Sequence, residues 1–263
     1  MAAIAIAQRA YRVPSAVTLP ILSMLVILGV IELMSRYGLL PVFVPSPSAV
    51  LGLVWHQPRL LLDNLWPTAL TALAGYVVAM IIALSAAALA SMVGTLYTPI
   101  YNFGVTLQSI PIIATAPLLA LWMGTGPSLQ VVIAALTSQF AMLVGSMQGF
   151  RAAEGRQREL LHSLSATPLQ TFRFLVLPSA LPYLFAGFKV AAPSAVLGSV
   201  TAEWTGGERG LGAMMLYALF SYDIIKVWLS VMAACVLAAS GYGLVALAER
   251  YFVFWNREIE LVD

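Results

Sequence analysis

Long apolar runs alternate with short polar breaks along this chain. The runs predict six helical spans, over residues 17–35, 67–92, 100–123, 129–149, 181–202 and 227–248. Each approaches the roughly 20 residues that cross a bilayer as a helix. The stretch 64–150 contains no Asp, Glu, Lys or Arg, so three crossings fit there without a charge in lipid. The first run follows Arg9 and Arg12, outruns a signal-peptide core and ends at Glu32 and Arg36 with no small-residue cleavage site. It reads as a retained span. The expected fold is an all-α transmembrane six-helix bundle.

The breaks carry their own signals. In "VPSPSAVLGLVW", Ser46 suits an N-cap and Pro47 the first helical position. A short helix ending at Trp55 and His56 is expected along the outer interface. Glu32 and Arg36, four residues apart, can pair as a structural tie. The third run, "LQSIPIIATAPLLALWMGTGP", is interrupted by Pro111 and Pro117. Each removes a backbone donor and crowds the preceding turn. Broken backbone at membrane depth survives where protein or a water-filled cavity satisfies it. The run therefore either lines a pathway or is a kink held by neighbouring helices. Small residues in the second, fourth and sixth runs, such as Ala86–Ala88, Gly145 and Ser146, allow close helix packing.

One polar stretch is punctuated more fully than the others: "ELLHSLSATPLQTFRFLVLP", Glu159 to Pro178. Leu160, Leu161 and Leu164 fall on one face of a short amphipathic helix. Ser165 and Ala166 interrupt it. Thr167 and Gln170 then have capping-box spacing, with Pro168 at the first helical position. Leu169, Phe172 and Val176 repeat at helical spacing, and Pro178 is expected to stop the segment. Two helices this short are not stable alone. They must dock on the chain's own spans or on another protein.

Composition supports a membrane protein: 61% of the 263 residues are hydrophobic, 9% are charged and the mean hydropathy is +0.92. A soluble domain carries about 25% charged residues. The net charge of +2 comes without a dense basic cluster, so nucleic acid is not expected as a partner. With the N-terminus inside, Arg9, Arg12, Arg151, Arg156, Arg158, Arg173, Arg250 and Arg257 face the cytoplasm. Arg36, Arg59, Arg209 and Lys226 face outward. This positive-inside bias puts both termini and the 151–180 loop in the cytoplasm. It divides the chain into a tail over 1–16, one transmembrane domain over 17–250 and a second tail over 251–263. Cys235, the single cysteine, excludes an intrachain disulfide and reads as a packing residue. An intramembrane enzyme would need clustered nucleophiles, bases or metal ligands. Yet His56 and His162 are the only histidines, and both fall outside the spans. A secondary transporter or channel is a further alternative. Of the ionisable residues only Lys189 lies clearly within a span, near enough to its inner end to snorkel.

The spacing Glu159-x5-Ser165-x9-Leu175-x-Leu177-Pro178 resembles the EAA loop of ABC-importer permeases. In that family two alanines stand where this chain has Leu160 and Leu161, and a glycine where it has Ser165. The resemblance extends from about Pro41 to the end of the sixth run through "PVFVPSPSAVL", "PLLALWMGTGP", "LPSALPYLFAGFKVA" and "AEWTGGERGLGAMM". It is nearest to the branch handling sulfonates, taurine, nitrate and thiamine-precursor pyrimidines. It implies a type I importer permease in the cell membrane, paired with a second copy. It also implies ATPase subunits that bind ATP and Mg, an extracytoplasmic binding protein, and no cofactor on this chain. The ATPase-coupling residues it implies are Glu159, Leu160, Leu161, Ser165, Ala166, Thr167, Pro168, Leu177 and Pro178. A Walker A loop needs Gly-Lys-Ser/Thr, but the two lysines follow Phe188 and Ile225. Any ATP site must therefore be on another chain. Gln108, Ser109 and Gln139, polar groups on or beside the charge-free spans, are expected to line the route, with Glu203 and Trp204 near its outer mouth.

Overall fold

The computed structural model describes residues 12–153 and 155–257. Arg9 and most of both expected tails lie outside them, as does the side chain of Arg158. Among the described residues, eleven helices carry the fold. They are α1 (Arg12–Arg36), α2 (Pro47–His56), α3 (Pro58–Met92), α4 (Tyr97–Ser109), α5 (Ile112–Met123), α6 (Pro127–Gly149), α7 (Gly155–Ser163), α8 (Pro168–Thr171), α9 (Leu177–Glu203), α10 (Leu211–Phe220) and α11 (Ile224–Phe252). No strand occurs among the described residues. Four segments are long and apolar enough to cross a membrane: α3, α6, α8 through α9, and α11. The pair α4–α5 makes a fifth if its two halves are one span. The sixth expected crossing is α1, a 25-residue helix that touches the rest of the fold through α2.

The core is α3, α6 and α9, and small residues build it. On α3, Thr68, Thr71, Ala72, Gly75, Ala79, Ala83, Ala87 and Ala90 are buried at helical spacing. Gly75 lies against α6, where an added Cβ would stand 2.7 Å from the Val131 carbonyl oxygen. The antiparallel α6 and α9 approach as closely: a Cβ on Gly145 would meet the Tyr183 oxygen at 2.7 Å, and one on Gly187 the Ala141 oxygen at 2.6 Å. In lipid, tails are as apolar as leucine, so helices associate by backbone approach and dispersion rather than by hydrophobic exclusion. Large apolar side chains accordingly point outward, Leu73, Ile81 and Leu197 among them. Cys235 is exposed on α11. That corrects its reading as a packing residue: α11 buries Leu229, Ser230 and Ala233 instead.

The third run breaks once, not twice. Ile110 and Pro111 are both extended, with ψ 122° and 108°, because a proline pushes its predecessor out of the helical region. The bend is 92°. Pro117 lies inside α5 without interrupting it. Around Gly104, α4 packs on Phe140 and Leu143 of α6, while Ala116 of α5 joins Leu129 and Ile133 further along α6. The two halves therefore follow α6 at successive depths.

Two expectations about ion pairs and stops also change. Lys189 does not snorkel alone: its Nζ lies 2.6 Å from Glu249 of α11, which satisfies both charges between two helices. Pro178 does not stop the chain. A single wide turn over Phe172–Val176, in which the Leu177 N–H reaches the Phe172 oxygen, joins α8 to α9. One extra residue in the turn accommodates the missing proline donor and its ring.

Candidate functional site

The loop from Gly155 to Val176 is set by two caps. Helix α7 ends in a Schellman turn. The Ala166 N–H bonds the Leu161 oxygen at 3.0 Å and the Ser165 N–H bonds the His162 oxygen at 2.9 Å. Such a turn needs a left-handed residue after the helix, and Ser165 takes that role with φ 58°. The serine standing for the family's glycine thus keeps the glycine's conformation, at a steric cost. Thr167 then caps α8. Its N–H donates to Gln170 Oε1 at 2.7 Å, and the Gln170 N–H donates to Thr167 Oγ1 at 3.3 Å. Pro168 occupies the first turn as expected.

The caps hold apolar side chains out of the core. Leu160 and Leu164 are 60% and 68% exposed, and Leu169 is 75% exposed. Glu159 is exposed too. Between the loop and the C-terminal ends of α3 and α6 lies a cleft of about 680 Å³, bordered by Ser91, Arg151, His162 and Phe172. The loop is therefore not packed flat on its own spans. Arg151 anchors its root, with Cζ 3.5 Å from the centre of the Tyr97 ring.

At membrane depth the structure brings two of the expected route residues together around α4. Gln108 borders a cavity of about 480 Å³ with Pro111, Thr115, Thr137 and Ser194. Gln139 borders one of about 290 Å³ with Ala83, Ile100 and Gly104, and Leu107 borders both. Ser109 borders neither, and its hydroxyl donates to the Val105 oxygen one turn back, at 2.8 Å.

Glu203 and Trp204 lie elsewhere, at the C-terminal end of α9. Trp204 is exposed. Glu203 is fully buried, so its carboxylate does not open onto a route in this conformation. It accepts hydrogen bonds from Thr68 Oγ1 at 2.7 Å and from the Gly212 N–H at 2.6 Å. The Leu211 N–H in turn donates to Thr68 Oγ1 at 2.9 Å, and the Gly210 N–H to Asn64 Oδ1 at 3.2 Å. The carboxylate thus joins α3, α9 and the start of α10, where a helix dipole favours negative charge. A Cβ on Gly210 would collide with the Glu203 carboxyl, and one on Gly212 would stand 3.0 Å from Oε2. The sequence reading missed Asn64, Thr68, Thr71 and Ser199, although the α3 members recur every three or four residues on one face. Thr71 and Ser199 share a 2.6 Å hydrogen bond.

At the end of α1, Glu32 carries more than its pairing with Arg36 at 2.8 Å. It accepts from the Ser48 N–H at 3.0 Å and the Ser48 hydroxyl at 2.7 Å, tying α1 to the first turn of α2.

Residues 75–252 match the family model described as "binding-protein-dependent transport system inner membrane component". The chain is 29% identical over 159 residues to the formylaminopyrimidine transport permease protein ThiX of Halalkalibacterium halodurans, covering 60% of this chain and 64% of that one. It therefore spans somewhat under two thirds of that relative. It is 30% identical to a probable ABC transporter permease protein of Haemophilus influenzae, over 76% of this chain and 82% of that one. With the taurine transport system permease protein TauC of Escherichia coli the identity is 26%, over 84% and 82%. Among solved structures, a chain of the MetNI methionine ABC transporter in an inward-facing conformation superposes with a TM-score of 0.60. The match covers 75% of this chain and 96% of that one at 19% identity, which is a likeness of fold.

Proposed function

Since this chain belongs to the family of binding-protein-dependent transport system inner membrane components, we propose that it is the permease subunit of an ATP-driven importer for a small organic solute. It is a transport subunit rather than an enzyme, and a multi-pass membrane protein. In this reading two copies form the route, ATPase chains holding ATP and Mg sit in the cytoplasm, and a binding protein delivers solute from outside. Both termini and the Glu159–Pro178 loop are cytoplasmic, in the cell membrane.

The observation that carries the reading is the loop: two short helices joined by a turn that is capped on both sides, yet with Leu160, Leu164 and Leu169 exposed. Exposed apolar side chains held in one geometry are what a protein partner needs. The residues bearing the coupling are Glu159, Leu160, Leu161, Ser165, Ala166, Thr167 and Pro168, with Leu177 and Pro178 at the root of α9. ATP binding would close the ATPase pair and pull both loops. Because the ATPase would bind the two transport conformations differently, ATP shifts their balance. The α4–α5 break, with Gln108 and Gln139 beside it, supplies a segment able to rearrange at membrane depth. The solute class follows the relatives, whose names include formylaminopyrimidine, taurine and aliphatic sulfonates.

The test is co-purification of the ATPase with the permease, with hydrolysis measured with and without loaded binding protein. A Glu159→Ala, Thr167→Ala double variant should insert normally but lose attachment or coupling; full coupling in that variant would refute the loop's role. Orientation is checked in a Cys235→Ala background. Gln57→Cys should react with impermeant thiol reagents in intact cells and Gln157→Cys should not.

A further inference from the structure

A further pocket, apart from the α4 cavities and bordered by several polar side chains, opens between α3, the start of α6 and the loop 204–210. Its volume is about 540 Å³, and its border includes Trp66, Thr71, Thr125, Gln130, Glu208 and Arg209. Four features of it are chemically unusual together. Gln130 is only 5% exposed, yet its carboxamide borders the pocket and makes no hydrogen bond to any described residue. Its polar atoms are not sealed off, so the amide is open to whatever fills the pocket. The N-terminus of the 23-residue α6, at Gly126 and Pro127, forms part of the same wall and has no side-chain cap and no acidic residue in its first turn. Such an end attracts an anion. Arg209 and Glu208 are exposed at the rim, and neither is in an ion pair among the described residues. The pocket border therefore offers hydrogen-bond donors, a positive field and one carboxylate.

We propose that this pocket is a solute subsite within the permease. It takes a small zwitterion whose anionic group meets the α6 N-terminus, Gln130 and Arg209 and whose ammonium meets Glu208. The proposal rests on the importer reading, since it makes the pocket a station for solute arriving from outside. A sulfonate or carboxylate accepts several hydrogen bonds at once and so matches the converging donors. A neutral heterocycle would leave both rim charges unused. The same pairing of anion and ammonium occurs in an ethanolamine lipid headgroup, so the test separates the two sources.

The test is protection of a pocket cysteine. Leu70→Cys in a Cys235→Ala background, in phosphatidylcholine nanodiscs, is labelled with a thiol reagent while taurine, ethanesulfonate or 4-aminopyrimidine is added. Taurine should protect best, and ethanesulfonate, which lacks the amine, less. Gln130→Leu and Arg209→Gln should each raise the taurine concentration needed by about tenfold. Glu208→Gln should erase the difference between taurine and ethanesulfonate while leaving protection by both. Equal protection by taurine and ethanesulfonate in the parent, better protection by 4-aminopyrimidine, or none by any of the three would overturn the subsite. So would protection that appears only when phosphatidylethanolamine replaces phosphatidylcholine. Labelling needs neither ATP nor ATPase. Loss of protection beside intact ATP-driven uptake therefore removes this subsite alone, and absent ATP-driven uptake removes the importer reading.

Discussion

The three-helix core and the 155–176 loop obey opposite packing rules. In α3, α6 and α9, glycine, alanine and serine make the closest helix contacts, Leu129, Ile133, Met142 and Met147 fill the space between them, and Leu73, Ile81 and Leu197 face out. In the loop, Leu160, Leu164 and Leu169 face out, and the order comes from backbone caps. The core is complete within one chain; the loop's apolar face is not. Where backbone meets backbone, as at Gly187 and Ala141, motion is limited to rigid-body shifts of the whole unit. Where capped turns project from it, one partner can grip and move the segment without unfolding anything.

The largest test of that contrast is Glu203→Ala. It strips the acceptor from the Gly212 N–H in a fully buried site and leaves the Thr68 hydroxyl only the Asn64 oxygen at 3.2 Å. We expect a loss of about 3 kcal/mol, since an orphaned buried donor costs about 1–3 kcal/mol and the deleted side chain leaves a cavity. Thermal unfolding in detergent measures it, and Glu203→Gln, which keeps one acceptor, should lose about half as much. A stable Glu203→Ala protein would show that the outer anchor is not part of the rigid unit.

Next comes a pair of matched substitutions. Gly187→Ala sets a methyl 2.6 Å from the Ala141 oxygen and should cost about 2–3 kcal/mol by overpacking. Gly52→Ala, on α2 with open space around it, should instead gain about 0.5–1 kcal/mol from lower backbone entropy in the unfolded chain. Equal effects at both sites would contradict the close-approach account of the core.

In the loop, effects are smaller in stability and larger in coupling. Thr167→Ala should cost about 1 kcal/mol by loss of the cap, and ATP hydrolysis should part from uptake more than unfolding temperature falls. Ser165→Gly should have the opposite sign and gain about 1 kcal/mol, because glycine adopts the left-handed turn without strain. Hydrogen exchange at Leu164–Ala166 reads both.

The smallest effect is a pH dependence at the start of α11. The Asp223 carboxyl is held below its usual range, chiefly by a hydrogen bond from the Lys226 side chain. It also caps the helix through the Lys226 N–H at 3.2 Å. A carboxyl depressed in the folded state adds stability that is fully present above its unfolded pKa. That stability is lost as pH falls through the folded value. Stability should therefore decline slightly more on acidification in the parent than in Asp223→Asn. The difference is small because the pair is largely solvated.

Much of this protein was legible from periodicity alone. The apolar runs, the Ser46 and Thr167 caps and the Pro111 break each depend on residues within a few positions of one another, and local sterics decide them. The charge-free stretch 64–150 required a low-dielectric surrounding whatever its partners. What sequence left open depended on which segments meet. Ser165 could be assigned a left-handed turn only once the chain on both sides was fixed. Pro117 and Pro178 carry the same chemistry as Pro111, yet neighbouring helices and one widened turn absorb them. Cys235 lies on a helix apolar all round, so its facing was set by how α11 packs. Glu203 and Thr68 are far apart in the chain, as are Lys189 and Glu249. A buried charge takes its meaning from the partner that desolvates with it, and only the tertiary fold supplies that partner.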